Sequence, residues 1–197
     1  MSKPIKVFMI NGSPREKGNT FTMLSWVKEG LEKEGIEVEI YQLGKKEIKP
    51  CVACYACQKT GKCWKDDSVM DELLQKIIEA DGIIIGSPTY YADVPGVVKT
   101  FIDRSQPIYY SKKTLRRKVG AAVVMARRGG AIHVYDTINH WFGINQMITI
   151  GSSYWNDGYN PNVTNQHEVE KDEEAKNTMK NLAENMAFVL KRIVRTN

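Results

Sequence analysis

Apolar positions along the chain alternate between the spacing of strands and the spacing of helices. Three short, mainly apolar runs predict strands, at Ile5–Ile10, Gly82–Gly86 and Val119–Met125, and the second is the fully apolar, buried kind. Ile36–Tyr41 instead alternates with period two, which predicts an edge strand with one wet face. A further short apolar run, Met147–Ile150, predicts a fifth strand.

Helical spacing fills the intervals between these strands. Apolar residues three or four positions apart predict helices over Thr20–Lys33, Met70–Ile78, Gly96–Arg104 and Ala131–Phe142. Asp66, Asp67 and Ser68 offer caps ahead of the second of these helices. A last amphipathic helix extends to Ile193, acidic at its start and basic at its end, as the helix dipole prefers.

The alternation of strand and helix predicts an α/β protein with a doubly wound, five-stranded parallel sheet and helices on both faces. At 197 residues the chain fits a single domain, 1–197, with a sizeable core. Two stretches lack a clear pattern, about residues 48–65 and 152–166. Connections of this length are more often functional than accidental, and the first is a cysteine-rich insertion loop.

Charge and hydropathy exclude several function classes. The formal net charge of the chain is a modest +5. The arginine pairs of the chain form no tract with interleaved aromatic residues, so a nucleic-acid partner is disfavoured. No apolar stretch approaches transmembrane length, and the N-terminus lacks the apolar core of a secretory signal. We therefore expect a soluble, cytoplasmic protein without a membrane partner, in which thiols stay reduced.

The first strand opens into a loop of small and hydroxyl residues, Gly12–Thr20 (GSPREKGNT), directly before a helix. Free N–H groups at a helix N-terminus, together with the helix dipole, make an anion site. The segment matches neither the dinucleotide-binding glycine pattern nor the P-loop of NTPases. It predicts a phosphate site, and a plain turn between strand and helix is the alternative.

Three such loops, in the same order along the whole chain, resemble the flavodoxin-like NAD(P)H-dependent FMN reductase superfamily. The first is Gly12–Thr20, the second is Gly86–Gly96 (GSPTYYADVPG), and the third is the Gly-Gly turn at Arg128–Gly130. The resemblance implies the strand order 2-1-3-4-5 and FMN as cofactor. In such sheets, ligands bind at the carboxyl ends of the strands, where all three loops leave the sheet.

The resemblance also implies a role for each loop residue. The phosphate would be held by Ser13, Arg15, Gly18, Asn19 and Thr20. The isoalloxazine would be lined by Pro88, Thr89, Tyr90 and Tyr91. The pyrimidine edge would be approached by Gly129 and Gly130, with Arg127 or Arg128 favouring an anionic reduced flavin. No Ser/His/Asp arrangement or pair of catalytic carboxylates stands out, so we assign no catalytic side chain.

All four cysteines of the chain lie within thirteen residues, at Cys51, Cys54, Cys57 and Cys63. Overlapping C-x2-C steps bring thiolates together as a [4Fe-4S] cluster requires. The last gap, however, is longer than in bacterial ferredoxins, and no proline follows the fourth cysteine. Structural zinc usually takes two well-separated pairs, and thiols without metal are the third alternative.

Within the superfamily, C-x2-C-x2-C-x5-C after the second strand, followed here by Asp66 and Asp67, is similar to the compact motif of the iron-sulfur flavoproteins. In the order 2-1-3-4-5, the second strand lies beside the first, so the cysteines and the phosphate loop leave the same edge of the sheet. Strand spacing and loop length predict roughly 10–20 Å between cluster and flavin. This placement favours electron transfer over a structural metal.

We therefore expect an FMN-dependent oxidoreductase that takes electrons through a [4Fe-4S] cluster from a ferredoxin-like donor. FMN would pass them to a small acceptor, such as a quinone, dioxygen or peroxide. An NAD(P)H-dependent FMN or quinone reductase without a working cluster is one alternative, and a non-enzymatic redox carrier or sensor is another. The resemblance further implies a homo-oligomer, a dimer or tetramer, with the flavin near a neighbour's cluster.

Overall fold

The computed structural model describes residues 3–64, 68–110, 115–162 and 165–194. Within these ranges one sheet contains the strands β1 (Lys6–Asn11), β2 (Glu37–Gln42), β3 (Gly82–Pro88), β4 (Val119–Ala126), β5 (Ile148–Thr149) and β6 (Asp157–Tyr159). The α-helices are α1 (Asn19–Lys33), α2 (Ala56–Thr60), α3 (Ser68–Glu79), α4 (Gly96–Arg104), α5 (Gln106–Tyr110), α6 (Ala131–Ile144) and α7 (Glu173–Ile193). A 3₁₀ helix, Glu168–Lys171, precedes α7. The predicted caps Asp66 and Asp67 lie outside the described residues.

The strand order is β2-β1-β3-β4-β5, and every described pairing is parallel. This confirms the doubly wound, flavodoxin-like arrangement. The edge position of β2 is also as predicted, and its burial alternates along much of its length. By contrast, β3 and β4 are buried almost throughout, because helices cover both of their faces.

The fifth position of the sheet differs from the prediction of one strand over Met147–Ile150. It is divided between β5, which pairs with the start of β4, and β6, which pairs with its end. The chain leaves the sheet between them because the buried Asn156 holds an excursion: Ser152 Oγ donates to Asn156 Oδ1 at 2.6 Å, and Val124 N donates to Asn156 O at 2.8 Å. The strand β6 therefore lies in a polar stretch whose sequence shows no apolar alternation.

Two cores pack against the two faces of the sheet. On one face α1 and α7 cover Val7, Met9 and Ile84, whereas on the other α3, α4 and α6 cover Phe8, Ile10 and Ile83. Successive residues of one strand therefore enter different cores, as the period of two requires. None of the helices in the described part of the chain is long and apolar enough to cross a membrane.

Candidate functional site

The loop after β1 runs close to the backbone of β3 before it enters α1. Gly12 N donates to Gly86 O at 2.8 Å, and a Cβ at Gly12 would lie 2.4 Å from Val98 Cγ2. The helix begins at Asn19 after Gly18, and no side chain caps its first turn, which contains no acidic residue. The N-terminus of α1 therefore presents N–H groups and the positive end of its dipole to the loop.

Polar residues from two neighbouring strands hold this loop from behind. Asn11 is fully buried at the end of β1; its Nδ2 donates to Gln42 Oε1 at 2.7 Å, and its Oδ1 accepts from Ser13 N at 3.1 Å. Gln42, at the end of β2, donates Nε2 to Ser13 O at 2.6 Å. This network fixes the backbone of the loop.

Gly44 lets the chain after β2 pass directly against the loop. A Cβ at this position would lie 2.1 Å from Ser13 O and 2.2 Å from Ser13 C, so only glycine fits. Sequence reasoning missed Gly44, Asn11 and Gln42. Polar residues at the ends of two apolar strands were the available signal, but their pairing depends on the register of β1 and β2.

The predicted phosphate residues gather in one open groove at this edge of the sheet. Ser13, Arg15, Asn19 and Thr20 line it, whereas Gly18 is not a lining residue and precedes the first residue of α1. The side chains of Ser13, Asn19 and Thr20 are nearly buried, and Ser13 Oγ accepts from Arg15 N at 3.1 Å. Buried hydroxyl and amide groups beside an uncapped helix N-terminus and an arginine suit a phosphate group.

The second wall of the groove comes from the end of β3. Pro88, Thr89 and Tyr90 line it, and Thr89 N donates to Met125 O at 2.8 Å. Among the described residues, Thr89 Oγ1 is a buried hydroxyl oxygen with no hydrogen-bond partner. Because an unpaired buried hydroxyl costs about 1–3 kcal/mol, it marks a place where a ligand atom would complete the structure.

Tyr91 does not line the groove, although the sequence placed it beside the flavin. Tyr90 and Asp93 exchange two backbone hydrogen bonds, of 2.8 and 3.0 Å, across a tight turn. Tyr91 and Ala92 form the tip of this turn, both left-handed, with φ of 50° and 61°. The Tyr91 side chain is consequently fully exposed.

The third wall lies at the end of β4, where Met125, Ala126 and Arg127 line the groove. Gly129 and Gly130 are outside it: Gly130, with φ of +86°, approaches Ala92 so closely that a Cβ would lie 2.9 Å from Ala92 Cα. Its role in the structure is to pack the third loop against the second. Any contact of Gly129 or Gly130 with a ligand stays a prediction.

Asn160, just after β6, completes this wall, and the sequence analysis missed it. Its backbone N–H donates to Ala126 O at 2.9 Å, and its side chain holds Asn162 N and Asn165 O. Asn160 reaches this wall because the fifth strand is divided and its second part, β6, lies alongside β4. No sequence pattern indicated that strand.

Strand β6 also contains a buried carboxylate, Asp157. Burial raises the pKa of Asp157, while the hydroxyl of Tyr159, which donates to Asp157 Oδ2 at 3.0 Å, lowers it. The same environment raises the pKa of Tyr159 to about 12, chiefly through burial and then through this hydrogen bond. The tyrosine therefore remains protonated and acts as the donor of the pair.

The four cysteines line a single cavity between their own loop and the junction of α4 and α5. The other residues of this cavity include Tyr55, Trp64, Asp103 and Arg104. Trp64 Nε1 donates to Cys54 Sγ at 3.0 Å, and Arg104 Nη1 donates to Lys49 O at 3.0 Å. Burial, followed by the like charges of the other cysteines, raises the pKa of Cys57.

The backbone of this loop is unusual. Ala53 and Tyr55 are left-handed, with φ of 51° and 57°, and lie between the first three cysteines. Turns of this kind direct successive N–H groups into concavities that bind anions, including iron–sulfur clusters. Within the described ranges, no group of three or more His, Cys, Asp or Glu side chains is arranged to hold a metal ion. The four thiols share a cavity without converging on one point.

A cubane takes one thiolate at each of its four iron corners. The donor set of the cavity, four thiols, has the chemistry that an iron–sulfur cluster needs, and their convergence on one cluster stays a prediction. The groove likewise fits FMN, because the phosphate loop suits an anionic group and the unpaired Thr89 hydroxyl can hydrogen-bond to a ligand atom.

The two sites are linked by α4. This helix begins at Gly96, directly after the loop that bears Thr89 and Tyr90, and its last residue, Arg104, lines the cysteine cavity. At about 1.5 Å per residue, these two ends are roughly 12 Å apart. Along the chain, α4 therefore connects the loop of the groove's second wall to the cysteine cavity.

Comparison with known proteins decides which family this architecture represents. Residues 5–161 match the model of the NADPH-dependent FMN reductase family. The chain belongs to this family. An iron-sulfur flavoprotein of Methanocaldococcus jannaschii is 42% identical over 151 residues, covering 76% of this chain and 77% of the relative. A second, from Methanosarcina thermophila, is 34% identical over 151 residues, covering 76% and 78%. Relatives of this identity and coverage show that the chain belongs to the iron-sulfur flavoproteins within the family.

Solved structures agree on the fold. RosB with a bound formylriboflavin phosphate intermediate has a TM-score of 0.76 at 17% identity, covering 98% of this chain and 81% of that one. A WrbA-like flavodoxin from Agrobacterium tumefaciens has a TM-score of 0.66 at 16% identity, covering 96% and 99%. With the family match, the three-walled groove identifies a flavin-dependent oxidoreductase that uses FMN.

Proposed function

We propose that this family member carries a [4Fe-4S] cluster on Cys51, Cys54, Cys57 and Cys63. The cluster would deliver electrons, one at a time, to FMN in the groove. The observation that carries the proposal is the common cavity of the four thiols at one end of α4, whose other end follows the flavin-groove loop. A metal with a purely structural role would not have to lie near a flavin site.

Each cofactor would contribute a different step. An iron–sulfur cluster exchanges single electrons, and a flavin stores two and gives them to an acceptor. The chain's own residues would bind and orient these groups: Ser13, Asn19 and Thr20 at the phosphate, and Thr89 with Tyr90 at the ring system. The open groove suits a small acceptor such as a quinone, dioxygen or peroxide.

The proposed donor is a ferredoxin-like protein. NADPH is the second candidate, because the family is named for NADPH-dependent reduction. An FMN reductase (NADPH) of Escherichia coli is 27% identical over 99 residues, covering 50% of this chain and 47% of that protein. In that second function, NADPH reduces FMN directly and the cysteine site transfers no electrons.

We further propose a cytoplasmic homo-oligomer, a dimer or tetramer. The four cysteines form no disulfide and are exposed or half-buried, which suits a reducing compartment. Exposed aromatics beside β6 support a contact between copies: Tyr154 and Trp155 are each about half exposed, and their rings meet edge to face at 4.7 Å. Tyr91, at the tip of the second loop, is also fully exposed.

Anaerobic rapid mixing would separate the two candidate functions. Wild-type protein, Cys54→Ala and the control Lys59→Ala are each mixed with reduced ferredoxin or with NADPH, and FMN bleaching is followed. Lys59 is exposed in α2 and does not line the cysteine cavity. The proposal predicts fast bleaching by ferredoxin that Cys54→Ala alone abolishes. Fast bleaching by NADPH alone, unchanged in Cys54→Ala, would establish the reductase instead.

A further inference from the structure

The second wall of the groove ends in a turn that its own sequence does not favour. Tyr90 and Asp93 exchange two backbone hydrogen bonds across Tyr91 and Ala92, which are both left-handed, with φ of 50° and 61°. Two-residue turns with positive φ at both central residues prefer pairs such as Asn-Gly or Gly-Gly, because most residues with a Cβ are strained there. The Tyr-Ala pair therefore depends on contacts from outside the turn to keep this conformation.

One such contact is a side-chain hydrogen bond from α6. Thr137 Oγ1 donates to Asp93 Oδ1 at 2.8 Å, and the same oxygen accepts from Val94 N at 2.7 Å. Hydrogen bonds to a carboxylate are stronger than those between neutral groups. His133 Nε2 also faces this carboxylate, but at 3.9 Å from Oδ2 it is too far away for a hydrogen bond. The Thr137 hydroxyl therefore ties the end of the turn to α6.

A second contact comes from the third loop, directly before α6. Gly130 lies so close to the turn that a Cβ on it would be 2.9 Å from Ala92 Cα and 3.2 Å from Thr89 Cγ2. The third loop thus packs against the turn and Thr89, while the bond between Asp93 and Thr137 holds the end of the turn. Both supports come from one segment, since Gly130 directly precedes α6 and Thr137 lies within it.

We propose that Asp93 and Thr137 are positioning residues for the flavin ring. The inference rests on the proposed function, in which Thr89 and Tyr90 bind the ring system of FMN. The backbone N–H and C=O of Tyr90 both bond to Asp93, so the tie to α6 fixes the backbone from which Tyr90 lines the groove. Asp93 and Thr137 do not line the groove themselves, and they act on a bound flavin only through the turn.

The test compares FMN with riboflavin, which has the same ring system but no phosphate. The Kd of each is measured by the quenching of its fluorescence by apoprotein. Thr137→Val, which removes the hydroxyl and keeps the shape, should raise both Kd values by the same factor, about three- to tenfold, as the loss of one hydrogen bond predicts. Thr137→Ser keeps the hydroxyl and should stay within twofold of wild type. Gln42→Ala, which acts on the phosphate loop, should weaken the binding of FMN alone.

A second background separates positioning from a general loss of stability. Ala92→Gly relieves the left-handed strain, so the turn needs less support from α6. In this background, Thr137→Val should change either Kd less than twofold, whereas a general loss of stability would act equally in both backgrounds. Unchanged Kd values in Thr137→Val, an effect on FMN alone, or an equal effect in both backgrounds would overturn the inference and leave the proposed function intact. Wild-type apoprotein that binds neither flavin would overturn the proposed function, and this inference with it.

Discussion

Gly44 offers a direct test of the proposed phosphate site, because the residue supports the loop without contributing a side chain. A Cβ added at Gly44 would lie 2.1 Å from Ser13 O and 2.6 Å from Pro14 N, whereas real Cβ contacts are essentially never shorter than 3.0 Å. In Gly44→Ala, the loop or the segment after β2 must therefore move by roughly 1 Å. Either movement disturbs the bonds of Gln42 Nε2 to Ser13 O and of Gly44 N to Asn11 O.

A displacement of this size lengthens a hydrogen bond beyond its working range. Each hydrogen bond to a charged phosphate contributes about 1.5–3 kcal/mol, so the loss of one weakens binding about ten- to a hundredfold. Gly44→Ala should raise the Kd of FMN by this factor. The assay is the quenching of FMN fluorescence by apoprotein, at a temperature where circular dichroism shows the variant to be folded.

Gly151→Ala is the matched control, since no atom lies within 4 Å of the Cβ that it adds. Its Kd for FMN should stay within twofold of the wild-type value. The reasoning would be refuted by a folded Gly44→Ala protein whose Kd is also within twofold of wild type. That result would mean that Ser13 and its neighbours bind no phosphate, or that the loop adapts without cost.

Three further predictions follow from single side chains. Thr89→Val should stabilise the apoprotein by about 1 kcal/mol in urea unfolding, because it removes a buried hydroxyl without a partner. The same variant should bind FMN more weakly, and a loss of stability in the apoprotein would contradict this prediction. Burial raises the pKa of Asp157 in the folded protein, so the folded state holds the carboxyl proton more tightly than the unfolded state does. The ionised carboxylate therefore destabilises the fold once the pH rises above the unfolded pKa of about 4. Asp157→Asn should therefore have the higher Tm at pH 7 and a flatter Tm–pH curve, and a lower Tm would contradict this. Gln42→Ala, which loses the bonds to Asn11 and Ser13, should weaken FMN binding severalfold in the quenching assay, and an unchanged Kd would count against the network.

Much of the fold could be predicted from the sequence because its strands are strongly patterned. Buried runs such as Ile83–Ile85 have apolar residues on both faces, and β2 alternates, so the sheet order followed once the loops were recognised. The fifth strand was only partly predicted. Its second half, β6, is Asp157–Tyr159, and no apolar alternation marks a three-residue polar strand.

The site could be predicted where chemistry is carried by loop side chains, and not where it depends on tertiary contacts. Ser13, Asn19 and Thr20 line one groove, and their contact with a phosphate stays a prediction. Gly44 and Asn160 were missed because their importance depends on which strands become neighbours. Arg104 looks like an ordinary helix-terminal arginine in the sequence. Only packing of the cysteine loop against the end of α4 reveals it as the buried cation of the cavity.

The central claim is that the four cysteines hold a cluster that serves the flavin. The most direct measurement is the content of iron, acid-labile sulfide and FMN in protein purified without exposure to oxygen. The account predicts about four iron and four sulfide for each FMN in wild-type protein, and an iron content near zero with FMN retained in Cys54→Ala. Stoichiometric FMN without iron in the wild-type protein would contradict it.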